Sequence, residues 1–190
     1  MMLDTGRVLL VAPHATSQIR EGQIKQADAG SGSLAVTLGR LTGSSVLYTA
    51  YRSPVDPNYY DDNDFKRRLR ALVDSLHPVL VIDLHASHWR RPYDVDFGTM
   101  GGESFRGRTD LLLGLAEALR NEGIPNLSQD RFAASANQTV TKWVAGMGVP
   151  AVQLEINSVW LLFRGADAAQ EHRFAQLLQA LVRFIREVRS

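Results

Sequence analysis

The run Val79-Leu80-Val81-Ile82-Asp83-Leu84-His85 restricts the fold more than any other stretch of the chain. A strand wetted on one face alternates apolar and polar residues, whereas a nearly continuous apolar run belongs inside a sheet covered on both sides, which is usually parallel. Parallel strands need long crossovers, so helices must lie between them. The flanking sequence supplies both kinds of element. Val8 to Ala12 reads as a buried strand halted by Pro13, and Leu34, Leu38 and Leu41 recur at helical spacing up to Gly43. Ser45 to Tyr51 is a second strand, followed by an extended loop through Pro54 and Pro57. Asp61 to Asn63 can cap a helix that turns Phe65, Leu69, Leu72, Val73 and Leu76 inward and stops at Pro78. Further on come a weaker strand near Asp94 to Gly98, a helix from Asp110 to Asn121 and a short helix from Val140 to Ala145. Val149 to Ile156 reads as another buried strand, and Ala168 to Val188 as a long closing helix. The expected fold class is α/β, a three-layer sandwich on a mainly parallel or mixed sheet, and 190 residues suit one domain spanning 1–190.

Composition narrows the function. There is no cysteine, so a disulfide framework, a thiolate metal site and a Cys nucleophile are excluded, and any metal must be held by His and carboxylate. Lys and Arg number 21 against 20 Asp and Glu, a net charge of +1. The clusters Lys66 to Arg70, Arg106 with Arg108, and Arg183 with Arg186 and Arg189 lie apart, mostly at helical spacing; solvated helix faces explain them, and no nucleic-acid partner is expected. No run approaches the roughly 18 apolar residues of a membrane span. The first apolar run follows Asp4 and Arg7 without a cleavage-site pattern, so the expectation is a soluble cytoplasmic protein without a membrane partner.

Open α/β sheets gather function beyond the carboxyl ends of their strands. His14, Arg52, His85 and Glu155 each stand at or just past such an end. Alone, His85 reads equally well as a satisfied core histidine, with Asp83 and Ser87 as turn residues. Two imidazoles at neighbouring strand ends, with carboxylates at hand, fit a divalent-metal site better, and zinc with three His and carboxylate ligands leaves room for water. Glu21, in the glycine-bearing loop after His14, is the preferred third ligand, with Asp28 its competitor. Asp83 shares a strand face with His85 and can support it from behind. His88, beside Trp89, is a spare imidazole or a rim residue. Glu155 is a lone carboxylate in an apolar strand end: either a general base or half of an ion pair with a nearby Arg. Gly30-Ser31-Gly32-Ser33 lacks the ending of a phosphate-cradling loop, and no G-x-S-x-G elbow exists. Arg106 or Arg108 can lean over the cleft from a glycine-rich loop and meet an acidic substrate.

With these residues in view, the chain resembles the N-formylglutamate amidohydrolases, relatives of the zinc carboxypeptidases. The resemblance runs through Val11-Ala12-Pro13-His14, Tyr51-Arg52-Ser53-Pro54-Val55-Asp56-Pro57-Asn58, Asp83-Leu84-His85-Ala86-Ser87 and Gln153-Leu154-Glu155. It implies the phosphorylase/hydrolase-like, zinc-carboxypeptidase-like form of the sandwich and a Zn2+ cofactor on His14, Glu21 and His85. It also implies Glu155 as acid/base, and Arg52 and Asn58 at a polarised carbonyl or a substrate carboxylate. The chain departs from the family pattern at Tyr59, where an Arg commonly follows the Asn, at Val159 and Trp160, and at Lys142, which stands where another Arg is expected and is assigned with Asn58 and Arg106 to substrate binding. The expected activity is zinc-dependent hydrolysis, by metal-activated water, of a formamide or amide bond in a small acidic N-acyl amino acid. The competing readings are a zinc carboxypeptidase or γ-glutamyl-type peptidase, and a non-catalytic anion-binding α/β module.

Overall fold

The computed structural model describes residues 8–161 and 165–189. In chain order the elements are β1 (Val8–Ala12), β2 (Gln18–Arg20), β3 (Gln23–Lys25), α1 (Ser31–Thr42), β4 (Ser45–Tyr48), α2 (Asp64–Leu76), β5 (Leu80–Ser87) and β6 (Val95–Gly98). They continue with α3 (Thr109–Asn121), β7 (Leu127–Gln129), α4 (Val140–Gly146), β8 (Ala151–Asn157) and α5 (Ala168–Arg189). Six strands form one sheet in the order β4-β1-β5-β8-β6-β7, while β2 and β3 make a separate antiparallel hairpin. All sheet neighbours run parallel except β8 and β6. The sheet is therefore mixed, with the four strands β4, β1, β5 and β8 sharing one direction.

Strand alternation sorts the residues into two layers. Val8, Leu10 and Ala12 of β1, Leu80, Ile82 and Leu84 of β5, and Val152, Leu154 and Ile156 of β8 pack under α1, α3 and α5. The intervening residues Leu9, Val11, Val81 and Ala151 meet Phe65, Leu69 and Val73 of α2 and Val140 and Val144 of α4. Each fully buried Val, Leu or Ile contributes about 1.5–3 kcal/mol, so β1, β5 and β8, covered on both faces, anchor the fold. Among the described residues no helix is long and apolar enough to cross a membrane.

The second face positions the site. Along β5 the residues following Val81 on that face are Asp83, His85 and Ser87; along β8 those following Ala151 are Gln153, Glu155 and Asn157, and the two rows lie in register. The face is apolar under the helices and turns polar towards the strands' carboxyl ends. Two caps bound the opening. Asn63 accepts a hydrogen bond from Lys66 N at the start of α2, and Thr139 accepts one from Lys142 N at the start of α4. Lys66, almost wholly buried, ties the two helix entrances together by donating from Nζ to Tyr60 O, Asp61 Oδ1 and Gln138 O.

Candidate metal centre

His14 enters the site because Pro13 ends β1 and the chain turns, Ala15 N donating back to Ala12 O. The β2–β3 hairpin then leaves and returns. On its return Asp28 N donates to His14 O at 2.8 Å, while Asp28 O accepts from Ser31 N at the start of α1. His85 projects from β5 next to β1. Both imidazoles are nearly inaccessible, and their rings lie 4.9 Å apart at 73°. His85 Nδ1 is 2.7 Å from Asp28 Oδ2, and His14 Nδ1 is 3.4 Å from the same oxygen. One ligand atom from each of His14, Asp28 and His85 falls within 4.8 Å of the others.

The far side of each ring is held by a carboxylate. His14 Nε2–H donates to Asp56 Oδ1 at 2.7 Å, and His85 Nε2–H donates to Asp83 Oδ1 at 3.1 Å; both acids are fully buried. A carboxylate only accepts, so His14 carries its hydrogen on Nε2, while His85, with Asp83 at Nε2 and Asp28 at Nδ1, carries hydrogens on both nitrogens, and a cation beside Asp28 would take the place of the Nδ1 hydrogen. Asp83 also accepts from Thr141 Oγ1 of α4, and Asp56 from Asn58 N and from Arg20 Nε and Nη2. Asn58 Oδ1 accepts from Val140 N, which fixes the amide with its Nδ2 at 3.1 Å from His85 Nε2.

The charges show what the cluster is built to hold. Burial alone would raise Asp28, but the close approach and charge of His14 and His85 hold it well below the usual carboxylate range. Asp56 is lowered likewise, against burial, by His14, the Asn58 N–H and Arg20. Burial alone would lower His85, but Asp83 and Asp28 outweigh it and keep the ring's affinity for a proton well above normal. The pocket thus attracts positive charge into the space between Asp28 and the two Nδ1 atoms. His14 Nδ1 is buried without a hydrogen-bond partner among the described residues. An orphaned imidazole nitrogen, a second imidazole and a carboxylate, each ring oriented by an acid behind it, match the donor set of a zinc-type divalent cation.

These residues open into a cleft of about 310 Å³ whose lining includes Arg20, Lys25, Asn58, Ser87, His88, Arg91, Phe132, Gln153 and Glu155. Glu155 stands beside His85 in the strand register, with Gln153 Nε2 donating to its Oε1 at 2.9 Å. Burial raises its pKa, Asp28 and Asp83 add to the rise, and His85 and His14 oppose it.

The expected site residues divide accordingly. The structure brings His14, His85, Asn58 and Glu155 into the one cleft, with His88 at its rim. Glu21 does not join the imidazoles: it sits exposed at the hairpin turn, where its carboxylate accepts from Tyr59 OH and its N–H donates to Tyr60 OH. Asp28 takes the place expected for it. The two-residue turn Glu21-Gly22 between Gln18-Ile19-Arg20 and Gln23-Ile24-Lys25 was the legible sign of a hairpin that carries its tip away. Arg52 and Arg106 are exposed and line no part of the cleft, and Lys142 turns its Nζ to Asn137 O. Among the described residues the Lys and Arg side chains at the cleft are Arg20, Lys25 and Arg91, none of which the sequence reading selected. Asp56 was missed as well, because nothing local marks an acid that acts on a histidine 42 positions away.

No family model matches the chain, and no curated protein matches it. Solved structures do. The N-formylglutamate amidohydrolase from Ralstonia eutropha JMP134 superposes with a TM-score of 0.65 at 16% identity, covering 96% of this chain and 93% of that one. A bacteriophage poly-gamma-glutamate hydrolase gives 0.56 at 17% identity, over 97% and 83% of the two chains. A metallo-carboxypeptidase from Burkholderia cenocepacia gives 0.55 at 13% identity, over 95% of this chain and 57% of that one. The fold is the α/β sandwich shared by these amidohydrolase and carboxypeptidase structures, as the resemblance in the sequence implied.

Proposed function

We propose that the protein is a zinc-dependent amidohydrolase that cleaves the formamide or amide bond of a small acidic N-acyl amino acid. The observation that carries this reading is the convergence of His14 Nδ1 and His85 Nδ1 on Asp28, with Glu155 beside them on the wall of the same cleft. His14, Asp28 and His85 would hold the ion. When bound, zinc supplies a Lewis acid that polarises an amide carbonyl and makes water easier to deprotonate. The chain's own groups do the rest. Glu155, with its raised proton affinity, takes a proton from the attacking water and delivers it to the departing nitrogen, so that water and amide become carboxylic acid and amine. Asp56 and Asp83 would hold the two imidazoles with Nδ1 turned toward the ion. Asn58, clamped by the α4 N-terminus, fixes the approach to His85. The modest volume favours a small substrate over an extended peptide.

The test is metal content by elemental analysis after purification without added zinc, for the wild type and His85→Ala, together with hydrolysis of N-formyl-L-glutamate and of short peptides. About one zinc per wild-type chain, far less in the variant, and turnover of the formyl compound support the proposal. Equal, negligible metal in both proteins overturns it.

A further inference from the structure

We propose that Arg91 receives a carboxylate of the substrate and thereby sets a preference for acidic substrates; this rests on the amidohydrolase reading of the cleft. Among the described residues three Lys or Arg side chains line the cleft, and two are already committed. Arg20 spends Nε and Nη2 on Asp56, at 2.8 and 2.6 Å, and Lys25 Nζ pairs with Asp28 at 3.1 Å. Arg91 has no carboxylate within ion-pair distance among the described residues. Its guanidinium lies 4.7 Å from the ring centre of Phe132, another lining residue. Stacking on an aromatic face occupies the flat side of a guanidinium and leaves its N–H edge for a planar, bidentate partner such as a carboxylate.

The root of Arg91 is fixed against the catalytic strand. Its N–H donates to His88 O at 2.9 Å, and its carbonyl accepts from Asn157 Nδ2 at 3.2 Å. The same amide of Asn157 also bonds Trp89 O and Tyr93 O, so a loop of five residues is tied to β8 two positions beyond Glu155. The backbone from which this guanidinium reaches is thereby held against the strand that carries Glu155. The cleft wall between them offers further unmet polar capacity. Gln153 Oε1 is without a hydrogen-bond partner among the described residues, on a side chain more than nine-tenths buried that lines the cleft. Burying a polar atom unpaired is costly, so this oxygen is suited to donor atoms of a bound molecule. An acidic N-acyl amino acid supplies such atoms together with a carboxylate for Arg91.

The experiment compares zinc-loaded wild type, Arg91→Met and Arg91→Lys on N-formyl-L-glutamate, N-formyl-L-glutamine and N-formyl-L-isoglutamine, each of the last two lacking one carboxylate. A charged hydrogen-bonded contact corresponds to a loss of about 10–100-fold in kcat/KM for the diacid on Arg91→Met. The wild-type penalty for one of the two carboxamides should collapse in that variant, and Arg91→Lys should restore part of it. Penalties for both carboxamides that are unchanged in Arg91→Met overturn the assignment while leaving the hydrolase reading intact. If the wild type hydrolyses none of the three, the hydrolase reading fails. Calorimetric binding of glutarate then decides the carboxylate contact separately: weaker binding to Arg91→Met supports it, and equal binding overturns it.

Discussion

Replacing Asp56 by Asn tests which ring nitrogen the site presents to a metal. Asp56 Oδ1 accepts from His14 Nε2 at 2.7 Å and Asn58 N at 2.8 Å, while Oδ2 accepts from Arg20 Nε and Nη2 at 2.8 and 2.6 Å. An amide has one acceptor oxygen. It can keep His14 and Asn58 only by turning its NH2 towards Arg20, whose side chain is 31% exposed and free to swing into water. The ring then keeps its place but loses the charge behind it. A partner of this kind is typically worth about 10–100-fold in metal affinity, or roughly 1.4–2.7 kcal/mol. The assay is zinc competition against a chromophoric chelator at pH 7.5, with Asp62→Asn as an exposed control and thermal melting to check folding. If His14 instead ligated through Nε2, Asp56 would be competing with the ion, and its removal would tighten binding. Affinity that rises, or stays within about twofold of the wild type, refutes the arrangement in which Asp56 orients His14.

Asp28→Ala should abolish zinc retention on dialysis, whereas Glu21→Ala should hold zinc like the wild type; the reverse pattern would return the ligand role to Glu21. Glu155→Gln should retain zinc and lose about 10²–10⁴-fold in turnover, read as kcat under saturating N-formyl-L-glutamate. Because burial raises the Glu155 pKa, the folded chain holds this proton more tightly than the unfolded one, a contribution to stability present below the unfolded value and lost as pH rises through the folded value. Metal-free Glu155→Gln should therefore be more stable than the wild type at neutral pH, with the gap closing towards pH 4 in urea unfolding; a gap that widens on acidification contradicts the sign. Gly98→Ala places a Cβ against the Phe132 carbonyl oxygen and 3.0 Å from Gln153 Cβ, which should cost about 1–3 kcal/mol in the same unfolding assay.

The layered core was legible along the chain. Runs such as Leu80 to Leu84 and the helical spacing of Phe65, Leu69 and Val73 are local patterns, and burial on both faces of β1, β5 and β8 follows from them. The observed strands shift by a residue or two: β5 runs on to Ser87 and β8 begins at Ala151, after Pro150 rather than at Val149. The antiparallel seam between β8 and β6, the short β7 and the β2–β3 hairpin were not anticipated, since pairing direction depends on where distant segments meet.

The site divides in the same way. Sequence alone determined that His14, His85 and Glu155 stand at strand ends, because a polar residue closing a buried apolar run has few other places to go. Only the tertiary structure decided which acid meets the two rings, which acids stand behind them and which cations reach the cleft. Asp28 prevails over Glu21 because a hairpin turn carries one carboxylate out and its returning strand brings the other in; Arg20 and Arg91 replace Arg52, Arg106 and Lys142 because loops, unlike strands, take their course from long-range hydrogen bonds such as those of Asn157 and Asp56.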